Sequence, residues 1–252
     1  MKLDGRTAVV TGSASGIGRA IALQFARHGA RVIGIDIDAR KAAEVSREAQ
    51  SEKLTVEFMA IDLTDVAAIA RGAAELATRC PRLDILVNAA GWDRVQPFVD
   101  NPPEFIERVI ALNLGGPLHF TRALLPAMIA AKTGDKAGKI VNVASDAGRV
   151  GSSGETAYAA AKGGIIAFTK SLARELARHS INVNCVCPGP TDTPLFQAQP
   201  EKLKEALTRA ILFRRIAKPE EIADAVLFFA SSRSDYITGQ ILSVSGGLTL
   251  AG

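Results

Sequence analysis

Short apolar runs alternate with longer amphipathic ones along almost the whole chain. Thr7–Thr11, Arg31–Asp36, Leu54–Ile61, Ile85–Asn88, Lys139–Ala144, Ile181–Cys187 and Ile241–Val244 read as strands. Between them, apolar residues at helical spacing predict helices over Ile17–His28, Arg40–Gln50, Val66–Arg79, Glu104–Asn113, Leu118–Ala131, Thr156–Arg178, Glu201–Ala210 and Pro219–Ala230. Gly29, Pro81 and Pro188-Gly189 supply stops. Strands that alternate with helices imply parallel pairing through right-handed crossovers. Runs such as Ile85-Leu86-Val87 lack a polar face, which suits a sheet covered on both sides. The expected fold is α/β and doubly wound, one domain over residues 1–252, with reactive groups at the carboxyl ends of the strands.

Composition narrows this only slightly. A chain of 252 residues can hold one core, since cores stop growing at roughly 250–300 residues. With aromatics at 5%, aliphatic side chains must fill it. The net charge of +4 is scattered, with no long Lys/Arg run, so a nucleic-acid partner is not expected. The positive excess reads as a solvated surface, or else as provision for an anionic ligand carrying phosphates. Cys80, Cys185 and Cys187 are an odd count and give no disulfide framework. Cys185 and Cys187 share one strand face as a small apolar pair. His28, His119 and His179 show no metal-ligand spacing, so no metal is expected. His28, just before Gly29, suits a helix C-terminus, where a cation is favoured. No signal-peptide pattern and no membrane-length apolar stretch occur, so a cytoplasmic location away from membranes is the expectation.

The first strand runs into Thr11-Gly12-Ser13-Ala14-Ser15-Gly16-Ile17-Gly18 and then a helix. Gly12 permits a sharp turn, Gly16 a close approach to a pyrophosphate, and Gly18 tight helix–strand packing. The helix start offers free N–H groups to an anion, with Ser15 and Ile17 beside them. Asp36, at the end of the second strand, is placed to accept hydrogen bonds from ribose hydroxyls and to repel a 2′-phosphate. Asp38 adds negative charge, and NAD is therefore expected over NADP. Asp62 and Leu63 after the third strand are candidates for the adenine end, and Asn88-Ala89-Ala90-Gly91 for a close pass of the cofactor.

Tyr158 and Lys162 stand four apart on a predicted helix and so share a face. Ser145 ends the fifth strand and Asn113 closes a helix. Hydride exchange at a carbinol carbon needs a group that takes or gives a proton. A phenol, ordinarily near pKa 10, becomes a better acid–base catalyst when a neighbouring ammonium lowers that value. Lys162 would do this and bind ribose hydroxyls, Ser145 would hold the substrate oxygen, and Asn113 would place a water leading to solvent.

These pieces, with Pro188-Gly189 and then Thr191 and Thr193, occur in an order that resembles the short-chain dehydrogenase/reductase family. The resemblance implies a Rossmann fold with a seven-stranded parallel sheet, usually a homotetramer, and Asn113, Ser145, Tyr158 and Lys162 as the catalytic tetrad. Thr191 and Thr193 would meet the nicotinamide amide. Ala89 stands where many members carry a second Asn.

Substrate contacts are expected from Trp92, Arg94 and Arg149, besides Ser145 and Tyr158, under a mobile lid within residues 190–215. The loops around Trp92 and Arg149 resemble those of family members that oxidise β-hydroxyacyl-CoA thioesters. That implies a CoA thioester as the small-molecule partner, with Arg94, Arg149, Arg214 or Arg215 meeting its phosphates. A 3-oxoacyl-(acyl-carrier-protein) reductase, a carrier-free alcohol, sugar or steroid dehydrogenase, and an NAD-binding sensor remain as alternatives.

Overall fold

A computed structural model describes residues 1–80, 82–131 and 137–250. Its elements, in order, are β1 (Thr7–Thr11), α1 (Gly16–Arg27), β2 (Arg31–Ile35), α2 (Ala39–Ser51), β3 (Val56–Met59), α3 (Val66–Arg79), β4 (Ile85–Asn88) and α4 (Pro103–Ile110). There follow α5 (Gly116–Ala130), β5 (Gly138–Val143), α6 (Ala147–Val150), α7 (Thr156–Leu176), β6 (Ile181–Pro188), α8 (Pro194–Gln197), α9 (Glu201–Ala210), α10 (Pro219–Ala230) and β7 (Ile241–Val244). The expected stop at Pro81 lies outside the described residues.

The seven strands form one parallel sheet in the order β3-β2-β1-β4-β5-β6-β7. This is the doubly wound Rossmann arrangement. The strand order reverses between β1 and β4, and there a crevice opens at the carboxyl edge. Alternate side chains serve opposite faces. Ala8 and Val10 pack with Ile21, Phe25 and Val226 from α1 and α10. Val9 and Leu86 pack with Ile69, Phe120, Leu124 and Leu172 from α3, α5 and α7. Burial of a large aliphatic or aromatic side chain contributes about 1.5–3 kcal/mol, so both layers hold the sheet.

Besides shifts of one or two residues at other element ends, three boundaries differ from the sequence reading. The third strand is shorter, Val56–Met59, because Leu54 and Ile61 belong to its flanking turns. The seventh helix ends at Leu176 and tightens into a 3-10 turn over Ala177–His179. Asn113 does not close a helix. It sits in a π turn, Ala111–Gly115, through which α4 passes directly into α5. The run Leu114-Gly115-Gly116-Pro117 resembles a break, yet the helix continues through it, with Pro117 lying just after the π turn. Elsewhere, His28 caps α1 with its ring Nδ1 2.8 Å from the Gln24 carbonyl oxygen. Cys185 and Cys187 are both buried, with sulfurs 3.9 Å apart.

Candidate active site

The crevice is an open cleft of about 1050 Å³. Gly12, Ser15, Gly16, Ile17 and Gly18 form one wall. Gly12 and Gly16 take positive φ. A Cβ on Gly12 would lie 2.7 Å from the Ala90 Cα, and one on Gly18 would lie 2.1 Å from the Gly12 carbonyl oxygen. Only glycine lets the turn, the start of α1 and the end of β4 come this close. The Thr11 hydroxyl accepts from the N–H groups of Ala89 and Ala90 at 2.9 and 3.0 Å, which ties β4 to the loop. Ser15 caps α1 without a side-chain hydrogen bond, so its hydroxyl remains free beside the N–H groups of the first turn.

Asp36 lies just beyond β2 on the same cleft. Its carboxylate accepts from Ala14 N–H at 2.9 Å and from Asp38 N–H at 3.0 Å. It thus holds the glycine loop while facing the space in front of it. Asp62 and Leu63 also line the cleft. The Asp62 carboxylate is held below its ordinary range by hydrogen bonds from the Thr64 hydroxyl and N–H. Ala89, Ala90, Gly91, Pro188, Gly189, Thr191 and Thr193 all reach the cleft. Asn88 does not. Its amide points between β5 and α5, donating to Asn142 Oδ1 at 2.8 Å and Thr121 Oγ1 at 3.0 Å, so it braces the sheet.

Ser145, Tyr158 and Lys162 share the opposite wall. Lys162 Nζ donates to the Val143 carbonyl at 3.0 Å and lies 5.5 Å from the centre of the Tyr158 ring. Burial pushes the Lys162 ammonium down to about 8. The expected lowering of the Tyr158 pKa is not what the protein alone produces. Burial pushes that phenol well above its ordinary value, and Glu155 adds to the rise, against a hydrogen bond from Ser145. Asn113 is buried, and its side chain is occupied by the backbone. Its amide donates to the carbonyls of Trp92 at 2.7 Å and Val109 at 3.0 Å, and accepts from Trp92 N–H at 3.3 Å. Between Asn113 and Lys162 stands Gly91. A Cβ there would lie 2.8 Å from Asn113 Oδ1 and 3.4 Å from Lys162 Nζ, so its absence keeps that space open.

The outer residues depart most from expectation. Trp92 is off the cleft, packed edge-on against Phe105 at 5.5 Å under the Arg108 guanidinium at 4.2 Å. Arg94 lies over the Phe105 ring, 5.2 Å away. Arg149 turns toward β7 and donates to the Ser243 hydroxyl. Arg215 pairs with Glu221, and Arg214 donates to the Arg209 carbonyl. None of these five lines the cleft. Residues the sequence reading did not name do so, including Val95, Arg108, Glu155, Phe196, Leu203 and Leu207. Their only sequence signal was the apolar stripe of α9 and the position of Glu155 one turn before Tyr158. The expected lid folds as α8 and α9, and Thr193 sits 3.2 Å from where a Gly16 side chain would begin.

A glycine-lined cradle at a helix N-terminus, an acidic residue at the next strand end and a buried phenol–ammonium pair fit a nicotinamide dinucleotide and a carbinol beside it. Such a site defines a nicotinamide-dependent oxidoreductase. A family profile described as enoyl-(acyl carrier protein) reductase matches residues 12–249. The 3-oxoacyl-[acyl-carrier-protein] reductase FabG of Thermotoga maritima is 39% identical, covering 99% of this chain and 100% of its own. The sorbitol dehydrogenase of Cereibacter sphaeroides is 38% identical over 98% of both chains. A crystal structure described as a gluconate dehydrogenase from Agrobacterium tumefaciens superposes with a TM-score of 0.92 at 33% identity, covering 98% of this chain and 97% of that one. The chain belongs to the short-chain dehydrogenase/reductase family and is an oxidoreductase acting between secondary alcohols and ketones. Among the described residues no helix is long and apolar enough to cross a membrane.

Proposed function

We propose that the protein oxidises a secondary alcohol to a ketone with NAD, and that the alcohol is a β-hydroxyacyl-CoA such as 2-hydroxycyclohexanecarboxyl-CoA. The observation that carries the reaction is the meeting of Ser145, Tyr158 and Lys162 on the wall facing the glycine loop. Bound NAD supplies the hydride acceptor. Ser145 Oγ holds the substrate oxygen, and Tyr158 Oη takes the hydroxyl proton. Lys162 Nζ keeps positive charge beside the phenolate, and the space at Gly91 carries the proton onward toward Asn113. The carboxylate of Asp36 supports NAD over NADP, because a 2′-phosphate there would face a like charge.

The acyl part of the reading rests on Val95, Val150, Leu195, Phe196, Leu203 and Leu207, an apolar lining suited to an alicyclic or acyl group. A similar lining suits the carrier-bound substrate for which the Thermotoga relative is named, although Asp36 speaks against NADPH. A carrier-free polyhydroxy alcohol is favoured by a different observation. Glu104, Glu107 and Glu155 line the cleft, whereas the four arginines expected to meet carrier phosphates do not. A cytoplasmic homotetramer completes the proposal. The test is NAD reduction measured across cyclic and linear 3-hydroxyacyl-CoAs, acyl-carrier-protein substrates and free polyols. Turnover confined to polyols ends the CoA assignment. Tyr158→Phe must abolish turnover while NAD binding persists; full activity in that variant would mean another base, and NAD binding without turnover of any alcohol by the wild type would leave a sensor.

A further inference from the structure

Asp93 is a buried carboxyl group that the proposed reaction does not use. It follows Trp92, whose backbone is clamped on both sides by the Asn113 amide. The same loop is fastened three residues after Asp93, next to Val95 on the cleft wall, where Gln96 N–H donates to the Gly154 carbonyl at 3.0 Å. Trp92 and Tyr158 pack into one small cluster with Phe105, Val109 and Ala157. Asp93 is 6% exposed, and its Oδ2 is buried with no hydrogen-bond partner among the described residues. Glu155 stands three residues before Tyr158 at the start of α7, lines the cleft, and makes no capping hydrogen bond. The Asp93 carboxylate accepts from the Arg94 backbone N–H, but its Oδ2 is buried without a partner among the described residues, which is costly.

The charged groups around Asp93 are unevenly arranged. From α7, Glu155 and Tyr158 face it, and both carry or acquire negative charge. Lys162 is engaged with the Val143 carbonyl. From α4 and the loop itself, Arg108 and Arg94 are spent on the rings of Trp92 and Phe105. Among the described residues no cation offsets the pair, and burial, with Glu155 adding and the Arg94 N–H opposing, pushes the Asp93 carboxyl up to about 6.

We infer that Asp93 and Glu155 are positioning residues that work together against Lys162: their carboxylates oppose the Tyr158 phenolate and set the pH at which alcohol oxidation begins. The inference rests on Tyr158 acting as the proton acceptor. Once Asp93 is ionised, each further deprotonation beside it is harder, so Tyr158 is held as phenol to higher pH. Reduction of a ketone, which needs the phenol, is correspondingly favoured at neutral pH.

Two measurements on the full chain test this. The protein has two tyrosines, and Tyr236 is fully exposed, so an isotope-labelled tyrosine ring gives one buried signal and one built-in control by NMR. The Tyr158 signal is expected to show a step near pH 6 as Asp93 ionises, and Asp93→Asn is expected to remove that step. In kcat/KM for alcohol oxidation, Asp93→Asn is expected to move the rising limb to lower pH by on the order of one unit, about a tenfold gain below the limb. Asp93→Glu should restore the wild-type profile. If Asp93→Asn fails to fold, Glu155→Gln must move the limb the same way and at least as far. A Tyr158 signal with no step, or a step kept in Asp93→Asn, overturns the inference, as does an unmoved limb. Should Tyr158→Phe remain active, the reading of Tyr158 itself falls, and the inference with it.

Discussion

Asp36 offers the most direct test of the cofactor reading, because its carboxylate does two separable jobs. Within the protein it accepts from Ala14 N–H at 2.9 Å and Asp38 N–H at 3.0 Å. Asp36→Asn leaves one oxygen for two donors and sets an NH2 group against the other. Hydrogen bonds to charged groups contribute about 1.5–3 kcal/mol, so the variant should lose stability on that scale. Toward the cofactor the carboxylate repels a 2′-phosphate. Unit charges about 4 Å apart interact with about 4 kcal/mol at the effective dielectric of a protein surface. At about 1.4 kcal/mol per tenfold, that approaches three decades in binding, reduced by salt because the cleft is open.

The expected result is therefore a wild type that strongly prefers NAD. In Asp36→Asn the ratio of kcat/KM for NADP over NAD should rise by one to three decades, about 10–10³-fold, most at low ionic strength. Steady-state kinetics with both cofactors, at two salt concentrations, measure it. The thermal midpoint measured alongside separates the structural loss from the electrostatic gain. Equal use of NADP by the wild type, or an unchanged ratio in the variant at low salt, refutes the reasoning from charge.

Three further outcomes follow from particular contacts. Gly91→Ala puts a methyl 2.8 Å from Asn113 Oδ1 and 3.4 Å from Lys162 Nζ, and kcat/KM should fall by about 10²-fold; undiminished turnover would remove the proton path from this gap. Lys139 is fully buried in β5, with Nζ 2.7 Å from Asp235 and 2.9 Å from Asn182. Lys139→Ala should cost about 3 kcal/mol, at the lower end for a broken buried pair because Asp235 is partly exposed, and lower Tm by about 6–12 °C in calorimetry. The Asp93 carboxyl, raised to about 6 by burial, makes folding pH-dependent with a definite sign. Below about pH 4 the group is protonated in both states and costs nothing; between there and about pH 6 the folded state holds the proton more tightly, and stability falls as pH rises. Denaturant unfolding of Asp93→Asn should lack this decline.

What was legible in the sequence divides by range of interaction. The sheet followed from alternation, since strands such as Val9-Val10 and Ile85-Leu86-Val87 leave no polar face for solvent. That the glycine loop, Asp36 and the Tyr158–Lys162 pair line one cleft was legible, because their places follow from strand ends and from spacing within one turn or one helix. Asn88 misled for the opposite reason. Its motif position suggested the cofactor, but the side chain's direction is fixed by Asn142 and Thr121, which are distant in sequence. Trp92 and Arg94 lie off the cleft for a like reason, since a cation beside a loop can stack on a ring as readily as reach a ligand, while Arg149, Arg214 and Arg215 are held by Ser243, the Arg209 carbonyl and Glu221. The π turn at Asn113 was hidden by glycines and a proline that normally end helices.

The same division explains why the substrate is harder to reach than the reaction. The groups proposed to move the proton, Tyr158 and Lys162, come from adjacent turns of one helix and keep a fixed spacing. The wall that would choose the alcohol is assembled from Val95, Val150, Leu195, Phe196 and α9, segments that share no periodicity. Against that apolar wall stand Glu104, Glu107 and Glu155, and one exposed cation, Arg108, already stacked on Trp92. A CoA phosphate would have to draw on Arg108, whereas a polyol would engage the carboxylates. Arg108→Ala should therefore raise KM for a CoA thioester and leave KM for a free alcohol unchanged. An equal effect on both would mean that Arg108 serves only to hold Trp92, and the carrier would lose its one candidate contact on the cleft wall.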